Sequence, residues 1–219
     1  MSKNPISTTY ETQVFNIADK KNAKLVIKSM LTSKKISLPA FLTSFTQTFT
    51  SNWNEEEVYG RMDPIATFQN TRRSVSLAFD LPAANLGVAQ DNLKQCDRLA
   101  QFLYPGYVNQ NEINKDPQSQ TKVLGRVIAR PPLVSVKFAN LISSGKSDAA
   151  SVQNEGLLGY LSGLEWAPAL DMGMFTDNTN NLFPKVISLS FTLNVLHQGD
   201  KGLKEGNEWA SNTFFGGYE

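Results

Sequence analysis

Apolar and polar residues alternate with a period of two over two long stretches of the chain. In Arg73 to Leu81, Val75, Leu77, Phe79 and Leu81 stand between Ser74, Ser76, Ala78 and Asp80. In Lys185 to Val195, Ile187, Leu189, Phe191, Leu193 and Val195 stand between Ser188, Ser190, Thr192 and Asn194. Successive strand side chains point to opposite faces, so each stretch predicts a β-strand with one face in a core and the other in water or against a neighbour. From Ile36 onward, Phe41, Phe45 and Phe49 interleaved with threonines predict a further, half-buried strand. Val123 to Ala129, Leu133 to Leu141 and Leu157 to Trp166 read as strands too. Pro131-Pro132 divides the first two of these, because consecutive prolines remove two ladder donors.

After Pro82 the period changes. Leu86, Ala89, Leu93, Cys96, Leu99, Ala100 and Leu103 recur at spacings of three and four, which predicts an amphipathic helix stopped by Tyr104-Pro105-Gly106. A cysteine on that stripe reads as a small core residue rather than a nucleophile. Residues 51–72, with turn chemistry at Tyr59-Gly60 and Asp63-Pro64, read as a long connection, and residues 107–122 as a polar loop. The organisation expected is an N-terminal arm over 1–35, one β domain over 36–197 and a C-terminal tail over 198–219. Within the arm, the apolar piece Ala23 to Leu31 fits either a strand or a helical turn. The fold class is mainly β (α+β): an antiparallel sheet or small barrel with one packed helix. A parallel sheet needs a helix in each crossover, and most of these links are too short or too polar to hold one.

Composition narrows the function classes. Apolar residues make up 41% of the chain and charged residues 19%, enough to build a core and too little charge for a disordered polyelectrolyte. A net charge of +1 gives no global field for nucleic acid or an anionic membrane, so neither is expected as a partner. Charge is nevertheless uneven: residues 1–35 hold seven lysines against Glu11 and Asp19, a net of +5, which leaves −4 for the remainder. Such an arm is either solvated or docked on an acidic neighbouring subunit. Absence of an apolar leader, or of a run of about 18 apolar residues, leads to the expectation of a protein made in a cytoplasm. The tail carries five glycines with Trp209, Phe214, Phe215 and Tyr218, and aromatic surface of that size suggests docking on a partner.

Catalytic chemistry finds little footing. His197 is the only histidine and Cys96 the only cysteine, so sites built on several such ligands within one chain are excluded, and no cofactor or metal is expected. No nucleophile signature surrounds His197. Ser143 to Ser147 (Ser-Ser-Gly-Lys-Ser) ends like a phosphate-binding loop, but the motif's first glycine falls at Asn140, so a solvated loop is the expectation. Asp171 and Asp177 with Asn178, Asn180 and Asn181 offer oxygen ligands without EF-hand spacing and read as a surface loop. Glu55, Glu56 and Glu57 read as a solvated acidic turn, since adjacent residues cannot straddle a glycosidic bond. The chain is not expected to be an enzyme.

Trp53, then Tyr59 to Ile65 (Tyr-Gly-Arg-Met-Asp-Pro-Ile), then Thr71-Arg72-Arg73 lead into the alternating strand. Leu103-Tyr104-Pro105, Arg130-Pro131-Pro132 and Phe183-Pro184-Lys185 follow in order ahead of the last strand and His197. In this order over residues 36–197 the chain resembles the baseplate hub and tube-initiator (tube-junction) proteins of contractile-tailed bacteriophages. The resemblance implies a tail-tube-like fold in a virion protein of the tail baseplate, with six copies closing a ring that joins the hub to the tail tube and initiates the tube. Its partners would be further copies of itself, the hub and tube subunits. Interface candidates under that reading are Trp53, Tyr59, Arg61, Asp63, Arg72, Arg73, Trp209, Phe214 and Phe215. The Tyr59 to Ile65 segment is either a loop anchored by its aromatic residue and proline or an inter-subunit clamp in which Arg61 pairs with a carboxylate. Arg72 and Arg73 either serve the interface or start a strand. An alternative function is a non-catalytic β domain that binds cell-wall or capsule glycan through Trp53, Trp166 and Trp209, although tryptophans this far apart more often serve packing.

Overall fold

The two most regular alternating stretches pair with each other. In the computed structural model, which describes residues 24–39, 41–109, 126–139, 141–142 and 156–198, they form adjacent antiparallel strands of one sheet. Ile187 lies opposite Leu81, Leu189 opposite Phe79, Phe191 opposite Leu77 and Leu193 opposite Val75. All eight of these side chains are buried, and Phe79 meets Phe191 edge to face at 6.0 Å between ring centroids.

Eleven strands and one α-helix are described: β1 (Leu25–Ser29), β2 (Lys35–Leu38), β3 (Phe41–Glu56), β4 (Ile65–Pro82), α1 (Leu86–Gln101), β5 (Gly106–Asn109), β6 (Arg126–Arg130), β7 (Val134–Phe138), β8 (Leu157–Pro168), β9 (Met174–Thr176), β10 (Leu182–Pro184) and β11 (Val186–Val195). The main sheet has seven strands in the order β2-β1-β7-β8-β11-β4-β3, and every pairing in it is antiparallel. The mainly β antiparallel architecture with one packed helix is therefore present. Between β8 and β11 the register shifts around Phe191, where Gly163 sits at φ +64, a conformation that costs other residues and marks a bulge.

Three expectations change. The apolar piece of the basic arm is strand β1, fully inside the sheet, with Leu25 and Ile27 buried between β2 and β7. Its Leu-Val-Ile run gains more from the core than its lysines gain from solvent, and the charged side chains leave by the other face. Residues 51–72 are not one long connection: 51–56 and 65–72 are the distal halves of β3 and β4, paired from Ser51↔Thr71 to Glu56↔Ile65, and only 57–64, with Tyr59-Gly60 and Asp63-Pro64, form the turn between them. The strand expected over 123–129 is described from Arg126, and it pairs with β5 in a separate two-stranded ribbon, where a loop was expected to begin at residue 107.

Connectivity also shapes the sheet. β2 and β3 occupy opposite edges, yet Pro39 and Ala40 alone join them. Laid flat, seven strands at roughly 4.8 Å spacing put the edges about 29 Å apart. The two-residue link spans at most about 11 Å. The sheet must roll until its edges approach, and because β2 and β3 do not pair, the result is an open roll rather than a closed barrel. Core side chains of β1, β2, β4, β7, β8 and β11 share one cluster on the inner face. Helix α1 completes that core with Ala89, Cys96 and Leu99 and packs against β2, β9 and β10. Asn85 starts the helix by accepting the Val88 N–H at 2.9 Å, satisfying one of the orphan donors of the first turn.

Candidate functional site

β3 and β4 outrun the rest of the sheet. Residues 74–80 of β4 are flanked by both β11 and β3, whereas beyond Phe49↔Arg73 the two strands pair only with each other. From Phe49 to Glu56 that ribbon reaches about 23 Å at roughly 3.3 Å per residue. Along it, from 49 to 72, every residue is exposed apart from the half-buried Asn52.

At its root the ribbon is fastened by Arg73. This side chain, only 5% exposed, donates from Nη2 to Gln47 Oε1 at 2.7 Å, and its guanidinium carbon lies 5.4 Å from the centre of the Phe49 ring directly opposite in register. Burial lowers its pKa from the ordinary value. Arg73 thus binds the chain to itself. Farther out, Asn52 donates to Asn70 at 2.7 Å, and Trp53 meets Phe68 edge to face at 5.2 Å. Trp53 also donates Nε1–H to Ser51 Oγ at 3.0 Å. These cross-strand pairs hold a ribbon that has no core of its own.

The turn beyond Glu56 carries Val58, Tyr59 and Met62, and the side chains of Tyr59 and Met62 are wholly exposed. Gly60 at φ +87 and the Arg61 N–H to Val58 carbonyl bond of 3.2 Å shape this turn. Arg61, Asp63 and Arg72 are exposed and form no ion pair among the described residues. The structure therefore brings Trp53, Tyr59, Arg61, Asp63 and Arg72 onto one projecting arm and sends Arg73 inward. Trp209, Phe214 and Phe215 lie outside the described residues.

A second surface is the outer face of the sheet. There Ser76 and Thr192 share a hydroxyl hydrogen bond of 3.0 Å, Ser188 donates to Asp80 at 2.7 Å, Ser190 to Glu165 at 3.1 Å and Asn194 to Ser162 at 2.9 Å. It is a wall of small polar groups that satisfy one another.

The remaining candidates are placed as follows. Cys96 is buried, and burial, with the Asp97 charge next, pushes its thiol up to about 11. Asp177 sits in the β9–β10 turn and accepts from Thr179 N–H and Oγ1, both at 2.8 Å, and from the Asn181 N–H and side-chain amide at 2.9 and 3.0 Å. Those donors, led by the Thr179 hydroxyl, bring its carboxyl down to about 2. No cluster of three or more His, Cys, Asp and Glu able to hold a metal ion occurs among the described residues. His197 is exposed just past β11, and residues 143–147 lie outside the described residues. Trp53 stands on the arm and Trp166 on β8, three strands away in the sheet order. No helix among the described residues is long and apolar enough to cross a membrane.

Sequence reasoning missed two adjoining cavities beside the C-terminal end of α1. One, of about 240 Å³, is lined by Phe102, Leu103, Pro131 to Leu133, Tyr160 and Leu161. The other, of about 590 Å³, shares Phe102 and adds Tyr104, Tyr107, Lys34 and Arg130. Leu103-Tyr104-Pro105 and Arg130-Pro131-Pro132, quoted above for their order alone, supply much of these walls.

No protein-family model matches the chain, and no curated protein matches it. Among solved structures, a chain of the anti-feeding prophage (AFP) baseplate, determined by cryo-EM with six-fold symmetrisation, is similar over 77% of this chain and 85% of that chain. The identity is 10% and the TM-score 0.30.

Proposed function

We propose that this chain is a non-enzymatic structural subunit of a contractile phage tail, built into the virion at the baseplate. There six copies close a ring that joins the hub to the tail tube and starts polymerisation of the tube, after assembly in the host cytoplasm. The observation that carries this reading is the projecting ribbon of β3 and β4. An isolated two-stranded ribbon is at best marginally stable in water, and this one exposes Trp53, Tyr59, Met62 and Phe68. Such an arm is costly in a free monomer and useful in an assembly.

Two further features support it. The outer face of β4, β8 and β11 presents hydroxyls, amides and the carboxylates of Asp80 and Glu165, each bonded to a serine, in place of lysines, as suits a wall that lines a lumen or lies against another subunit. The ordered motifs from Trp53 to His197 supply the resemblance to the baseplate and tube-junction proteins. In this reading the part of the N-terminal arm ahead of β1 and the aromatic tail over 198–219 dock on neighbouring subunits.

Mass photometry and electron microscopy of the purified chain, alone and with a baseplate hub protein from the same phage, test the proposal. Rings or incorporation into tail particles are expected. A strict monomer that never joins a tail particle would overturn it.

A further inference from the structure

We propose that the tip of the β3–β4 arm of one copy docks in the cleft beside the C-terminal end of α1 of the next copy. This deepens the ring reading by naming the two surfaces that meet. Both halves are on the molecule. The tip presents Tyr59 and Met62, whose side chains are entirely exposed, flanked by Glu55, Glu56, Glu57 and Asp63 against Arg61 alone. The cleft presents the apolar lining of Phe102, Pro132, Leu133 and Tyr107, with Lys34 and Arg130 on its rim.

Apolar tip meets apolar floor, and acidic flank meets basic rim. The β1–β2 hairpin beside the cleft extends the basic field, carrying Lys28, Lys34 and Lys35 and no acidic residue from Leu25 to Leu38. None of Lys28, Lys34, Lys35, Arg130 or the four tip carboxylates forms an ion pair among the described residues. The C-terminus of α1 opposes an acidic visitor with only about half an elementary charge, which two full cations outweigh. Cavities of about 240 and 590 Å³ side by side give the two exposed side chains of the tip separate seats. The contact uses different patches on its two sides, so it is heterologous and propagates around a ring if the rotation closes.

A charge-swap experiment on the full-length chain tests the pairing. One variant carries Glu56→Lys and Glu57→Lys, the other Lys34→Glu and Arg130→Glu; all four positions are exposed, so the fold is spared. Sedimentation velocity should show each variant alone self-associating at least tenfold more weakly than the wild type, and a mixture of the two recovering association. A photo-crosslinking residue placed at Tyr59 in the otherwise unchanged chain should join two copies through Phe102, Tyr107 or Pro132. Variants that associate like the wild type, a mixture without recovery, or crosslinks that are absent, intramolecular or mapped elsewhere overturn the proposal. If wild type and variants alike enter tail particles, this docking fails while the ring reading stands. If the swap behaves as expected but no particle takes up the wild type, the reverse holds.

Discussion

Cys96 carries the one thiol of the chain, and its surroundings decide that it is a packing group. It lies on the inner stripe of α1 within the core cluster, 6% exposed, and its pKa is pushed up to about 11 by burial and then by Asp97. Against an ordinary 9.0, that leaves roughly a hundredfold less thiolate near pH 8, before steric shielding is added. Labelling by a thiol reagent at pH 8 should therefore be at least about a hundredfold slower in the native protein than in denaturant. Equal rates in the two states would remove Cys96 from the core. Asp177 behaves in the opposite sense. Its carboxyl titrates at about 2 in the fold against an ordinary 3.8, so its support of the β9–β10 turn is complete above about pH 4 and is lost as pH falls toward 2. The group is solvent-accessible, so the effect is local. In Asp177→Asn, the amide resonances of Thr179 and Asn181 should no longer shift between pH 4 and pH 2, whereas they should in the wild type. Shifts retained in the variant would assign the acid response to another group.

The arm is the element on which the function reading turns, and its order rests on a few cross-strand pairs. An edge-to-face aromatic pair such as Trp53–Phe68 contributes about 0.5–1.5 kcal/mol beyond its buried area, about a two- to thirteenfold change in a local opening equilibrium, and truncation to alanine also removes the area term. Trp53→Ala should speed hydrogen exchange across residues 49–56 and 65–72 by about tenfold while the thermal midpoint of the rolled sheet stays within about 2 °C. A cooperative loss of the whole sheet would show that the arm belongs to the core. The same element explains what was and was not legible in the sequence. β11 is legible over nearly its true limits and β4 over its inner half, Arg73 to Leu81, because each buries one face there, and α1 is legible because its buried stripe has the helical period. The distal arm buries neither face, so Asn, Thr and Glu stand on both sides and no period-two signal survives. A signal was available in the spacing: Tyr59-Gly60 and Asp63-Pro64 sit midway between Trp53 and Phe68, as a turn between paired aromatics would. For β1 the sequence offers a strand or a helical turn, and the Leu25-Val26-Ile27 run favours the strand, but the flanking lysines conceal that it lies inside the sheet. The cleft was invisible because Lys34, Phe102, Arg130 and Tyr160 come together only once the sheet has rolled.

At the scale of the whole molecule the rolled sheet has two faces with opposite chemistry. Inside, Val75, Leu77, Phe79 and Leu81 with their partners on β11 fill the core; outside, the Ser76 hydroxyl bonds with that of Thr192 and the Ser188 hydroxyl donates to the Asp80 carboxylate. Folding requires only the inner set. The outer set is free to answer to assembly. Over 74–80 and 188–194 it carries no lysine or arginine, and the carboxylates of Asp80 and Glu165 each accept from a serine hydroxyl. A face left in water, in contrast, gains solubility from lysines that also blunt unwanted contacts. A neighbour that covers this face would leave a lysine at Ser76, whose hydroxyl meets Thr192 and no carboxylate, desolvated and without a partner, at a cost that far exceeds the loss of one hydroxyl hydrogen bond. Ser76→Lys should therefore leave the isolated chain folded, with a thermal midpoint within a few degrees of the wild type and the far-ultraviolet spectrum unchanged. Formation of rings or tail particles should fall at least tenfold, and Ser76→Thr should retain it. Particle yield unaffected by the lysine would mean that this face looks onto open solvent in the assembly, and the arm and cleft would then have to carry subunit recognition alone.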